Sequence, residues 1–238
     1  MKRAILFDLV GTLLIAKSRT PLSSMYIVLE DHGLSSTVDA FTVAWEEENT
    51  IPSQKRHTPF EERIARVAKK LNWSLDWRHI ERIANDICDK AATILSVDSE
   101  ALDLLRKLHG NVELGLVTNY DHPPAIYKMI ESTKLADFFS VVIISGEIGI
   151  WKPDPRILQT AIEGMSLQAS DCIYVGDSAV DIEASISAGV DPVLIVREDN
   201  QIDPFRNPEN DLENKYHKLI SSHKLRVIKK LSEVESLL

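Results

Sequence analysis

The sequence predicts an α/β protein: an open parallel sheet with helices on its faces and an all-helical unit inserted after the first strand. Two observations carry that expectation. Short apolar, β-rich runs alternate with helix-patterned segments over most of the chain, the order of an open sheet built with right-handed crossovers. One long segment, from about Ala16 to Ala92, breaks the alternation and repeats its apolar residues at helical spacing. The expected division is therefore a core of residues 1–15 and 93–238 and a helical module of residues 16–92.

The first strand is Ala4–Phe7, a short apolar run that suits a strand buried on both faces. In the helical module, Met25, Val28 and Leu29 share one face, as do Ile64, Val67, Ala68 and Leu71, and then Ile80, Ile83, Ala84 and Ile87. Thr58-Pro59 ahead of Phe60-Glu61-Glu62 marks a helix start with proline in the first turn. The module lies over the sheet end where α/β sites form, or packs as a layer on the sheet face. Beyond it come strands at Val112–Val117, Val141–Ile144, Cys172–Val175 and Val193–Val196. Helices are expected at Glu100–Leu108, with Leu102, Leu105 and Leu108 inward, at Pro155–Ile162, and at Ile182–Ala188, stopped by Gly189. A polar stretch with Pro204 and Pro208 leads to a last strand, Leu225–Ile228, and a closing helix, Leu231–Leu238.

Composition narrows the function classes. The chain has 238 residues, enough to bury a core without disulfides or a structural metal. A formal net charge of -9 disfavours nucleic acid as a partner, because such a surface repels phosphates. A small anionic substrate stays compatible, since one bound metal ion reverses the sign of a pocket. Cys88 and Cys172 are far apart and form no Cys-x-x-Cys pair, so neither a disulfide framework nor a thiolate zinc site is indicated; Cys172 reads as a small buried residue. His217 and His223 read as a solvated helix rather than as ligands. Lys2-Arg3 before an apolar run resembles the start of a signal peptide, but Asp8 and Gly11 interrupt it. With no apolar run of spanning length, a cytoplasmic protein without a membrane partner is expected.

Ligands bind at strand ends in such sheets, which directs attention to the polar residues closing the apolar runs. These are Asp8-Leu9-Val10-Gly11-Thr12, Thr118-Asn119, Lys152-Pro153-Asp154-Pro155, and Gly176-Asp177-Ser178 followed by Asp181. Each alone has an ordinary reading as a turn or helix cap. Together they supply carboxylates, a hydroxyl, an amide and an ammonium. A carboxylate is a competent covalent nucleophile, carboxylate clusters hold Mg²⁺, and the donors balance phosphoryl charge.

In order, spacing and context these four segments resemble the motifs of the haloacid dehalogenase (HAD) superfamily, with a Rossmann-like core. The helical insertion is similar to that family's C1-type cap. The resemblance covers residues from about 4 to 196. It implies a magnesium-dependent hydrolase with Asp8 as nucleophile and Thr118 and Lys152 as its catalytic partners. It also implies substrate contacts from Thr118, Lys152 and the Asn119 backbone, and metal contacts from Asp8, the Val10 carbonyl, Asp177 and Asp181, the last orienting the metal shell.

The departure is Val10, where family phosphatases carry a second aspartate as general acid and base. Valine does neither, and such help is typically worth about 10²–10⁴-fold. The first-ranked expectation is a phosphatase acting on a small phosphorylated metabolite. A 2-haloacid dehalogenase ranks second, since halide leaves without a proton, yet the retained acidic pair disfavours it. A phosphonoacetaldehyde-hydrolase-like enzyme ranks third, because its cap lysine has only Lys55, in a polar loop, as a counterpart. A non-catalytic phospho-ligand-binding protein is the remaining class. Of the module's side chains, Arg56 and His57 are candidate anion contacts, while Trp45, Trp73 and Trp77 read as core.

Overall fold

The computed structural model describes residues 2–17, 22–48, 50–51, 56–197 and 225–238. Apolar alternation in β1 (Ala4–Phe7) shows how its sheet is held. Ile5 and Phe7 point into one apolar cluster and Ala4 and Leu6 into another, on the opposite face, and all four are fully buried. β1 is flanked in parallel by β6 (Glu113–Thr118) and β8 (Cys172–Gly176). With β7 (Val141–Ile144), β9 (Asp191–Ile195) and β10 (Arg226–Ile228), the six-stranded order is β10-β9-β8-β1-β6-β7. Such a sheet needs helices on both faces. α5 (Ala101–Leu108), α6 (Pro123–Ser132), the short α7 (Ser145–Ile148), α8 (Arg156–Gly164) and α9 (Ala179–Ala188) connect its strands in the core.

Between β2 (Leu14–Ala16) and β5 (Leu95–Val97), which pair antiparallel, four helices lie among the described residues. They are α1 (Leu22–Asp31), α2 (Val38–Glu47), α3 (Phe60–Lys70) and α4 (Trp77–Ala92). Thr37 caps α2 and Asp76 caps α4 by accepting backbone N–H bonds. Ile64, Val67 and Ala68 on α3 and Ile80, Ile83, Ala84 and Ile87 on α4 are buried, as their spacing predicts; Leu71 is partly buried.

Several expectations need correction. The insertion is not purely helical, since β3 (Thr50–Ile51) and β4 (Arg56–His57) form a short antiparallel ladder. Pro59 is the residue before α3 rather than its first turn. On α5 the inward residues are Ala101, Leu104, Leu105 and Leu108; Leu102 is only partly buried. Trp45 is core and Trp73 partly buried, but Trp77 is 54% exposed, with its indole N–H donating to Glu81 on the helix surface. Val196 lies outside β9 and is exposed, and Leu231–Leu237 forms a 3-10 helix rather than an α-helix. Cys172 is fully buried, as read. Among the described residues no helix is long and apolar enough to cross a membrane. Lys55, Pro204, Pro208, His217 and His223 lie outside the described residues.

Candidate active site

Strand register assembles the site. Phe7 lies opposite Leu116 on one side and Val175 on the other, so Asp8 leaves the sheet level with Val117 and Gly176. Its N–H donates to the Val175 carbonyl at 2.9 Å. Thr118 closes β6 and is 2% exposed. The chain after Asp8 turns back through Gly11, whose φ of +95° favours glycine; any side chain there would collide with the Asp177 carboxylate. A side chain at Gly176 would likewise strike Asp181.

Lys152 arrives from the far side of β6. Its backbone is clamped by the Asn119 side chain, which accepts from the Lys152 N–H at 2.9 Å and donates to the Lys152 carbonyl at 3.0 Å. The ammonium reaches Asp8 Oδ1 and Asp181 Oδ1, both at 2.7 Å. It also donates to the Tyr174 hydroxyl at 2.8 Å and lies 3.2 Å from the Val117 carbonyl. Asp181 turns its other oxygen to the Ser178 backbone N–H, at 2.9 Å, and to the Ser178 hydroxyl, closing a capping box at the start of α9. Asp8, Lys152 and Asp181 are 7%, 5% and 1% exposed. A buried charge of this kind persists only with partners.

Electrostatics follow from that arrangement. Burial raises the Asp8 carboxyl to about 6, against the opposing Lys152 charge and with Asp181 adding to the rise. Burial also pushes Asp181 upward, but the charge and hydrogen bond of Lys152, with the Ser178 bonds, outweigh it and hold this carboxyl low. Burial disfavours the Lys152 ammonium, yet Asp181 and Asp8 reverse the effect and raise its pKa. Tyr174, driven upward by burial, stays a neutral phenol.

Asp8, Asp177 and Asp181 each bring a carboxylate oxygen within 4.8 Å of the other two. An all-oxygen donor set in a space kept open by Gly11 and Gly176 fits a hard divalent cation. The expected residues Asp8, Lys152, Asp177 and Asp181 are thus brought together, with Thr118 at the adjoining strand end. The Asn119 side chain is committed to Lys152, which leaves only its backbone for a substrate. Arg56 and His57 belong to β4.

Two parts of the site escaped the sequence. Tyr174 sits in the apolar run Cys172–Val175 and reads there as strand filling. Arg197, just past β9, donates to the Gly11 and Thr12 carbonyls and to Asp98 at 2.9 Å, tying the turn after Asp8 to the linker that follows β5. A cation directly after the expected strand Val193–Val196 was the available signal.

Known proteins resemble the chain in sequence and in fold. The chain is 29% identical over 157 residues to a phosphoglycolate phosphatase of Salmonella typhimurium, covering 63% of this chain and 57% of that protein. It is 30% identical over 152 residues to a phosphoserine phosphatase of Thermus thermophilus, covering 63% of this chain and 60% of that protein. The matched part thus spans less than two thirds of these curated relatives. A 2-haloacid dehalogenase structure from Pseudomonas syringae superposes with a TM-score of 0.68 over 100% of this chain and 98% of its own, at 20% identity, a likeness of fold alone. The family profile described as "haloacid dehalogenase-like hydrolase" matches residues 2–189, and the chain belongs to that family.

Proposed function

We propose that the protein is a magnesium-dependent phosphatase acting on a small phosphorylated metabolite through an aspartyl-phosphate on Asp8. The observation that carries this reading is the Asp8–Asp177–Asp181 cluster beside a buried ammonium, a set suited to a metal ion and a phosphoryl group. The phosphatase names of the relatives support it.

In this reading an Asp8 oxygen attacks phosphorus, the phosphorus–oxygen bond to the leaving group breaks, and water later splits the acyl phosphate. Asp8, the Val10 carbonyl and Asp177 would hold Mg²⁺, with Asp181 beside them to orient these ligands. When bound, Mg²⁺ neutralises phosphoryl charge. Thr118 and the Asn119 backbone hold phosphoryl oxygens, and Lys152 balances their charge against Asp8. Residues 16–92 act as a cap that selects the substrate. Val10 offers no proton to the leaving oxygen, so substrates with stable leaving anions, acyl and aryl phosphates, turn over fastest.

Val10 also favours a second reading, the 2-haloacid dehalogenase, in which halide needs no proton. Turnover of an aryl, acyl and alkyl phosphate panel, with Mg²⁺ and after its removal by chelation, distinguishes the readings. Metal-dependent phosphate release, fastest from aryl and acyl phosphates, is expected. Metal-independent chloride release from 2-chloropropionate, or ligand binding without any turnover, would replace the phosphatase by the dehalogenase or by a binding protein.

A further inference from the structure

Tyr174 has no part in the motif pattern, yet its hydroxyl lies at the junction of three functional strands. It is the third residue of β8, and its side chain is fully buried in the cluster that contains Leu6 and Val117. An aliphatic residue would satisfy that packing; a buried phenol is retained at a cost unless its hydroxyl is bonded. Here the hydroxyl accepts from Lys152 Nζ at 2.8 Å, donates to the Val117 carbonyl at 2.9 Å, and lies 3.2 Å from Asp181 Oδ1. Val117 shares a peptide bond with Thr118, so one hydroxyl touches the lysine, the acid on α9 and the peptide carrying the threonine.

The ammonium has three protons and three short acceptors: Asp8 Oδ1, Asp181 Oδ1 and the Tyr174 hydroxyl. Asp8 loses its carboxylate charge when one of its oxygens bonds to phosphorus, so its hold on the ammonium weakens. Asp181 is shared with α9 through Ser178. The tyrosine alone has no other chemical duty, and it stands on a central strand.

We propose that Tyr174 is a positioning residue for Lys152, holding the ammonium in place while Asp8 turns to the substrate. The proposal rests on Lys152 acting as the charge-balancing group of the phosphatase reading. It accounts for a phenol where packing alone asks for an aliphatic side chain. It also places the lysine under two independent restraints, Asn119 on its backbone and Tyr174 on its head.

The test is Tyr174→Phe in the full chain, which keeps the ring and removes one oxygen. With an aryl phosphate and Mg²⁺, kcat is expected to fall by about tenfold, the scale of one charge-assisted hydrogen bond, with KM held. In a Lys152→Met background the same substitution should cause no further loss, since the two residues act as one unit. An unchanged kcat, a rise confined to KM, or an equal fold-loss in both backgrounds would overturn the assignment. If the wild-type protein turns over no phosphate ester, the phosphatase reading fails separately. Crystal structures of wild type and Tyr174→Phe then decide the positioning role. A Lys152 Nζ displaced by about 1 Å or more supports it, a scale that matters to catalysis, and an unmoved Nζ overturns it.

Discussion

The strand-end site and the seam between the helical insertion and the core solve the same problem, buried polar groups, in different ways. At the strand end, Lys152 has carboxylate, phenol and carbonyl partners and a clamped backbone, all from the core. At the seam, the core side chain His122 reaches two cap helices, with Nδ1 2.7 Å from Glu61 on α3 and Nε2 3.2 Å from Asn85 on α4, while Lys128 pairs with Asp89 and Tyr120 donates to Cys88, both on α4. Asn85 donates its own N–H to the Glu81 carbonyl at 2.8 Å, which turns its oxygen towards the ring. His122 is 2% exposed. The lesson is a division of labour. The candidate catalytic groups are brought together by the core alone, whereas cap and core meet through separate side-chain contacts spread along α3 and α4.

Removing the clamp should produce the largest effect. Asn119→Ala frees the Lys152 backbone, and kcat is expected to fall by about 10²-fold with a smaller change in KM. At the seam the pattern should invert: His122→Phe keeps a ring but strands Glu61, so KM should rise several-fold while kcat changes little. Steady-state kinetics on one good substrate reads both. If both variants lost kcat alone, the seam would be part of the chemistry and the contrast would collapse.

The seam also carries a pH signature, read in stability rather than in turnover. Burial raises the Asp121 carboxyl to about 6 from its ordinary 3.8, against its own backbone hydrogen bond and the Arg63 charge. A folded value above the unfolded one favours the protonated fold. That contribution is complete below about 3.8 and is lost as pH rises through about 6. Asp121→Asn should therefore match wild type in thermal stability at low pH and exceed it by up to about 3 kcal/mol above neutrality. A constant offset across the range would remove Asp121 from the account.

How much of this was legible beforehand follows the same division. β1, β6 and β8 stand out because a strand buried on both faces must be continuously apolar, and a polar candidate residue lies at or just past the end of each. Asp8, Thr118 and Asp177 were readable for that reason, whereas Lys152 and Asp181 stood out only through the motif pattern. Tyr174 was hidden because nothing local separates a bonded phenol from strand filling. His122 and Asn85 were hidden because a contact between units 37 residues apart leaves no periodic trace. α6 went unread because Pro123-Pro124 suggests a turn, although proline suits a first helical turn. Leu102 misled because equal spacing does not say which of two leucine rows faces the sheet.

In the proposed reaction Asp8 carries the phosphoryl group. Rapid acid quench of the enzyme during turnover of acetyl phosphate with Mg²⁺, followed by peptide mass spectrometry, tests it most directly. One phosphoryl group on the peptide containing Asp8, absent in Asp8→Asn, is the predicted result. Turnover that continues in Asp8→Asn, or a phosphoryl group found on another residue, would contradict it.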